Sequence, residues 1–200
     1  MSVLVTGATG FLGMEVLVRL LDQPDTEIVA LVRARDRDAA DRRIAGVLAQ
    51  LYETPPETAA ERIIALPGDV SLPGLGLSDD DRRAAVAHTT EIVHCAASIS
   101  FELPLDQARL INTEGTRRLL SLAGEIGGLR RLVHVSTAYV GGRHAGTFGE
   151  DDLDVGQTFR NSYEQSKFEA YFPAIIEYAQ RARWGKSPMT REGAQLARAA

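Results

Sequence analysis

Apolar positions come in short runs that alternate with stretches of helical spacing. Ser2 to Thr6 is an apolar run that ends in glycines, and Gly13 to Leu21 follows with apolar residues three and four apart. Thr26 to Val32 is a second, β-branched run, and Asp36 to Leu51, rich in Ala, Arg and Asp, has a helix pattern. Arg62 to Leu66 gives a third strand, closed by Pro67-Gly68-Asp69. Glu91 to Ala96 gives a fourth, Leu105 to Ile126 a long helix, and Arg131 to Ser136 a fifth strand. Strands alternating with helices build βαβ units, so the pattern predicts the α/β class with a Rossmann-like, doubly wound parallel sheet. Right-handed crossovers leave few topologies for such a chain. No internal repeat is visible.

Two stretches lack periodicity. Pro67 to Ser78 carries Pro, Gly and Ser and runs into Asp79-Asp80-Asp81, an acidic helix start. Gly141 to Arg160 is glycine-rich and then acidic. Loops of that length are commonly functional or disordered, and this one follows the fifth strand at the carboxyl edge of the sheet, where ligands bind.

Composition narrows the partners. The 200 residues suit one full core, and a formal net charge of −5 disfavours non-specific nucleic-acid binding, which wants a basic face. A single cysteine, Cys95, excludes an internal disulfide, and the scattered His88, His94, His134 and His144 show no metal-ligand spacing. No apolar run is long enough to span a membrane, and no basic segment precedes the first strand, so a cytoplasmic protein is expected. Cys95, His94 and His134 lie within apolar strands and read as core or edge residues.

The first candidate site is the turn Thr6-Gly7-Ala8-Thr9-Gly10-Phe11-Leu12-Gly13 between the first strand and the first helix. Gly7 permits a tight turn, Gly10 lets the backbone approach a pyrophosphate, and Gly13 lets the helix pack close to the strand. A helix N-terminus offers free N–H groups and a positive dipole end to phosphate. Thr6, Gly7, Thr9, Gly10, Phe11, Leu12 and Gly13 are therefore candidate cofactor contacts, although the spacing is G-x-x-G-x-x-G rather than G-x-G-x-x-G. About 20 residues beyond such glycines, NAD enzymes place an acid on the ribose diol. Here Leu31-Val32-Arg33-Ala34-Arg35 occupies that stretch. The Arg33 guanidinium suits a 2′-phosphate, with Arg43 on the next helix as a second contact, so NADPH (NADP+) is the expected cofactor. Arg35 and Arg37 read as surface charges.

The second candidate site is Tyr163-Glu164-Gln165-Ser166-Lys167, which places a phenol and an amine on one helix face. A nearby ammonium stabilises a phenolate, which makes tyrosine a usable acid and base. Lys167 can also hold the nicotinamide ribose. Upstream, His134-Val135-Ser136-Thr137-Ala138 brings a hydroxyl to the end of the fifth strand, where it can bond a reacting carbonyl oxygen.

At these residues the chain resembles the extended short-chain dehydrogenase/reductase family. It is most similar to the thioester-reductase and fatty-acyl-CoA-reductase branch, which includes the terminal domains of carboxylic acid reductases. The segments that carry the resemblance are Val5 to Gly13, Leu31 to Arg33, Gly68 to Val70, Val93 to Phe101, Asn112 to Thr116, Val133 to Gly141 and Asn161 to Ala170. The resemblance implies that Thr137, rather than its neighbour Ser136, is the catalytic hydroxyl, with Tyr163 and Lys167 completing the set. It implies that Asp69 and Val70 border the adenine, and that Ala96, Ala97 and Ser98 run along the cofactor. Asn112 would brace the sheet near the cofactor, or cap a helix; Asp69 could equally be a turn residue.

Residues 1–170 are thus expected to form an NAD(P)-binding Rossmann domain, with 171–200 an atypical helical or disordered tail. Pro173 interrupts a helix pattern, Ala174 to Arg183 resumes one, and no β-branched run offers a sixth strand. The resemblance implies reduction of an acyl thioester, bound to coenzyme A or a carrier protein, to an aldehyde or alcohol. A sugar-nucleotide epimerase or dehydratase, a hydroxysteroid- or flavonoid-type dehydrogenase, or a silent dinucleotide-binding module remain alternatives on the same scaffold. Binding through the adenosine half with poor turnover, and self-association as a homo-oligomer, are expected of a chain lacking a sixth strand.

Overall fold

The structure is a computed structural model that describes residues 1–56, 58–149 and 152–171. In chain order the elements are β1 (Ser2–Thr6), α1 (Phe11–Leu21), β2 (Glu27–Val32), α2 (Arg37–Leu51), α3 (Ala59–Arg62), β3 (Ile63–Pro67), α4 (Asp79–His88), β4 (Glu91–His94), α5 (Leu105–Ala123), β5 (Arg131–His134) and α6 (Ser162–Glu169). The chain forms two compact units. One comprises Met1–Ala97 with Ser121–Val135, the other Ser98–Leu120 with the residues from Ser136 onward.

The first unit holds a five-stranded sheet of order β3-β2-β1-β4-β5, parallel throughout. Strand register follows the alternation of side chains. Val3 and Val5 share a face with Ile28, Ala30, Val32, Ile63 and Ala65, and that face is buried with Leu17 and Leu21 of α1 and Ala40, Ile44, Val47 and Leu48 of α2. Leu4, Val29, Leu31, Leu66 and Ile92, on the alternate positions, are buried too. Burial on both faces is what makes parallel strands read as continuous apolar runs, and each buried Val, Leu or Ile side chain contributes about 1.5–3 kcal/mol. The order reverses direction between β1 and β4, and the carboxyl ends at such a switch point form a ligand crevice.

Local chemistry sets the element ends. Asp36 caps α2 by accepting from Ala39 N at 2.7 Å, which holds its carboxyl below the usual range, and Ser78 caps α4 through Asp81 N. The Arg62 side chain donates to the carbonyls of Leu20, Leu21 and Thr26, satisfying the end of α1 and the turn after it. Pro67 closes β3, an edge strand where a missing N–H is tolerated.

Several boundaries differ from the sequence expectation. β4 and β5 end two residues early, at His94 and His134. Beyond β4 the chain turns toward β1, where Ala96 N donates to Thr6 Oγ1 at 3.3 Å. α5 stops at Ala123 because its last turn tightens: Glu125 N bonds Leu122 O and Ile126 N bonds Ala123 O, before Gly127-Gly128. α3 was not anticipated. Arg37 is more than a surface charge, since Nη1 donates to Ala65 O at 2.8 Å and Nη2 pairs with Asp81, stapling β3 to the start of α4. The expected tail at 171–200, including Pro173 and the helix pattern over Ala174 to Arg183, lies outside the described residues save for Tyr171. No helix among the described residues is long and apolar enough to cross a membrane.

Candidate functional site

In the first unit, the turn after β1 separates its three glycines by role. Gly7 has φ +74°, and a Cβ there would sit 2.7 Å from Ala96 N. At Gly13 a Cβ would fall 2.0 Å from Gly7 O, so the first turn of α1 can pack on the loop only with glycine. Gly10 is different. Its φ is −94°, and a Cβ would meet only Gly7 O, at 3.3 Å. The fold nearly tolerates a side chain there, while a ligand on the turn would not. Gly10 is also the N-cap of α1 and contributes no side-chain cap, so the first N–H groups of the helix have no side-chain acceptor. Phe11, 88% exposed, and Leu12, 45% exposed, lie at the surface and outside the core. An uncapped helix start beside a cradle that a Cβ would fill fits a pyrophosphate.

Thr6, a candidate cofactor contact, has its side chain engaged within the protein. Its side chain has no exposed surface; Oγ1 lies 2.6 Å from His94 Nδ1 and accepts from Ala96 N, pinning β1 to β4. His94 is thereby a satisfied core histidine. Thr9, Arg33 and Arg43 come together at the other side of the turn. Arg43 donates to Arg33 O and, at 3.3 Å, to Thr9 Oγ1. The exposed Arg33 guanidinium has no ion-pair partner among the described residues, whereas Arg35 is spent on Asp36. Asp69 Oδ1 accepts from Ser71 N and Oγ, the geometry of a turn residue, and Val70 is buried beside it. Ala96 and Ala97 follow β4, half-buried, with Ala96 next to Gly7.

The second unit gathers the other candidates. Asn112 lies in the middle of α5, which excludes the helix-cap alternative. Its amide, 2% exposed, accepts from Ser98 N, donates to Ser98 O, and donates to Ser166 Oγ at 2.9 Å. With three bonds committed, Asn112 braces the protein and has little left for a ligand. Thr113 Oγ1 adds a bond to Ser166 O, and Arg109 clasps Glu169 with bonds of 2.7 and 2.6 Å. Together these fasten α6 to α5 at the turn between Tyr163 and Lys167.

Tyr163 is half-buried, its ring 5.5 Å from that of Phe101, which also meets Tyr139 edge-on at 6.3 Å. Lys167, one turn later, is only 3% exposed. Thr137 caps the short 3-10 turn Ala138–Gly141, and that turn packs against α6. Because Thr137 Oγ1 accepts from Tyr139 N, its own hydrogen is left to donate. Ser136 Oγ is buried and has no hydrogen-bond partner among the described residues, so Thr137 is the more reachable hydroxyl. Beside these groups lies a cleft of about 510 Å³ lined by Phe101, Tyr139, His144, Phe148, Arg160 and Glu164 among others. Ser166 and Glu164 escaped the sequence reading. Glu164 had a legible signal, since Asn161 followed three residues later by Glu is the capping-box pattern; Ser166 had none.

A parallel sheet reversing at β1/β4, a glycine turn there, and a tyrosine–lysine helix define a Rossmann-like domain of the extended short-chain dehydrogenase/reductase class, whose cofactor is a nicotinamide dinucleotide. More narrowly, residues 5–182 match the NAD-binding model described as male sterility protein, and the chain belongs to that family. It is 36% identical over 144 residues to the fatty acyl-CoA reductase wat of Drosophila melanogaster, covering 69% of this chain and 28% of the fly protein. It is likewise 36% identical over 145 residues to human fatty acyl-CoA reductase 1, with 69% and 28% covered. The chain thus spans little more than a quarter of these relatives. The terminal R domain of the myxalamid PKS-NRPS pathway superposes with a TM-score of 0.75 at 31% identity, over 90% of this chain and 46% of that one. These likenesses place the chain in the thioester-reductase and fatty-acyl-CoA-reductase branch.

Proposed function

We propose that this chain carries the cofactor-binding and acid–base machinery of an NADPH-dependent reductase acting on an acyl thioester. The observation that carries the reading is the placement on α6, four residues apart, of a half-buried Tyr163 and a Lys167 buried to 3% exposure. Burying an ammonium is costly unless its charge is used, and here it lies one turn from a phenol. Relatives named fatty acyl-CoA reductases support an acyl thioester as substrate.

The dinucleotide, when bound, supplies the hydride to the thioester carbonyl carbon. Thr137 donates a hydrogen bond to the carbonyl oxygen and Tyr163 transfers its phenolic proton to it as negative charge develops. Lys167 stabilises the phenolate left behind. Collapse breaks the C–S bond, so that one thioester, one hydride and one proton yield one aldehyde and one thiol. A second round on the aldehyde gives an alcohol. In the first unit, the N–H groups at the start of α1 would hold the pyrophosphate, and Arg33 with Arg43 would take the 2′-phosphate. Residues 1–170 make up this functional domain.

Two measurements test the reading. NADPH oxidation is followed with an acyl-CoA, a sugar nucleotide and a ketosteroid in parallel. Slow reduction of the acyl-CoA alone is expected, and turnover of either other substrate in its place refutes the assignment. Cofactor choice is tested by fluorescence titration. The chain is expected to bind NADPH more tightly than NADH, and Arg33→Ala to erase most of the difference. A charge-assisted contact to phosphate contributes about 1.5–3 kcal/mol, roughly a 10- to 100-fold gap. Equal affinities in the parent chain defeat the prediction.

A further inference from the structure

Glu164 follows Tyr163 directly and is 3% exposed. Carboxylates are rarely buried so far without specific partners, and this one has two from a single residue. Oε2 accepts from Arg160 N at 2.9 Å, and Oε1 lies 3.4 Å from Arg160 Nη1. In return, Glu164 N donates to Asn161 Oδ1 at 2.9 Å. Asn161 is the N-cap of α6, Tyr163 the second helical residue and Glu164 the third. The arrangement is a capping box displaced by one residue, with the carboxylate reaching the N–H just before the cap. The same Arg160 Nη1 donates to Gly142 O at 2.6 Å, and Arg143 N bonds Thr158 O, so the two ends of the long loop over 142–160 are drawn together at the entrance to α6.

Asn112, Thr113 and Arg109 hold α6 through Ser166 and Glu169, which lie beyond the first turn. They fix the helix but leave its entry, where Tyr163 sits, to other bonds. Ser162 Oγ gives one, to Leu103 O at 2.5 Å, Ser166 Oγ gives another, to Tyr163 O at 3.1 Å, and the Glu164 box adds its own. A short helix with an unsatisfied first turn frays from that end. Fraying here would swing the phenol off its target, with Lys167 unmoved in the following turn.

We propose that Glu164 is a positioning residue for Tyr163, its buried carboxylate locking the first turn of α6 to Arg160 and through it to Gly142. The proposal rests on the acid–base role given to Tyr163 above. Glu164→Ala lowers kcat for acyl-CoA reduction by roughly 10- to 100-fold while NADPH affinity stays within about twofold, because a misplacement near 1 Å costs on the order of 100-fold in rate. Glu164→Gln, which keeps one oxygen for Arg160 N–H, falls between parent and Ala.

The deciding readout is the Tyr163 ring itself, observed by NMR in chain carrying 13C-labelled tyrosine and assigned by its loss in Tyr163→Phe. In Glu164→Ala the Tyr163 signal is expected to shift and broaden, and that of Tyr52, in the other unit, to stay. An unchanged Tyr163 signal in Glu164→Ala overturns the proposal, whatever happens to activity. If Glu164→Ala loses the Tyr52 signal as well, it has unfolded. Glu164→Gln and Arg160→Met, which spares the Arg160 N–H bond, then decide by the same signal: a shift supports the brace and its absence in both overturns it. A parent chain that reduces no acyl thioester overturns the functional reading instead, and the ring signal still judges the brace.

Discussion

Gly10→Val is expected to fold and to lose dinucleotide binding. The three glycines of the turn look alike in sequence but answer to different constraints. A Cβ at Gly13 would lie 2.0 Å from a backbone oxygen, and one at Gly7 2.7 Å from a backbone nitrogen with φ at +74°. Neither clash can be relieved by moving a side chain, so substitution at either is expected to unfold or strongly destabilise the protein. At Gly10 the only neighbour is Gly7 O at 3.3 Å, a contact that a few tenths of an ångström relieve. What a side chain fills there is the space over the start of α1, where phosphate oxygens would meet the uncapped N–H groups. Losing two charge-assisted bonds at about 1.5–3 kcal/mol each corresponds to at least ~100-fold in affinity. Circular dichroism and melting should resemble the parent while NADPH titration shows no saturation. Undiminished binding by folded Gly10→Val would mean the phosphates lie elsewhere. Gly13→Ala provides the contrast, failing in the melt before binding can be read.

The sheet was legible because both faces of each parallel strand are buried, which turns a strand into a plain apolar run bounded by turn residues. All five strands and the helices over 11–21, 37–51, 79–88 and 105–123 follow from that pattern within a few residues. The glycine turn was legible for the same reason that Gly7 and Gly13 are irreplaceable: close backbone approach leaves a mark in residue type. What stayed hidden are bonds between side chains distant in sequence. Nothing in the periodicity says that Thr6 Oγ1 faces His94, that Arg37 crosses to Asp81, or that Asn112 and Thr113 grip Ser166, 53 to 54 residues on. These polar contacts replace apolar ones at buried positions, and a polar residue in a buried stripe looks like a surface position until its partner is known. The loop over 141–160 stayed opaque because its ends are joined through backbone carbonyls, as in Arg143 N to Thr158 O and Arg160 Nη1 to Gly142 O, and a carbonyl acceptor carries no residue preference.

Tyr163→Phe is expected to abolish turnover while leaving fold and cofactor binding intact. The substitution removes one oxygen from a ring whose packing partner is Phe101, 5.5 Å away, so the apolar contact survives. α6 keeps its cap at Asn161 and its clasp through Ser166 and Glu169, none of which uses the phenol. The glycine turn and Arg33 belong to the other compact unit, and NADPH affinity should stay near that of the parent. What is lost is the proton that must reach the carbonyl oxygen as hydride arrives, a contribution of typically 100- to 10,000-fold. Thr137→Val removes a hydrogen bond to the same oxygen and should cost about 100- to 1,000-fold, the scale of one oxyanion donor. The double variant should be little slower than Tyr163→Phe alone, because groups acting as a unit are not additive. Initial rates with acyl-CoA at saturating NADPH, beside a binding titration for each variant, read all three outcomes. A Tyr163→Phe chain that turns over at the parental rate would show that the proton comes from another donor. Attention would then pass to Tyr139 and His144, which also line the cleft.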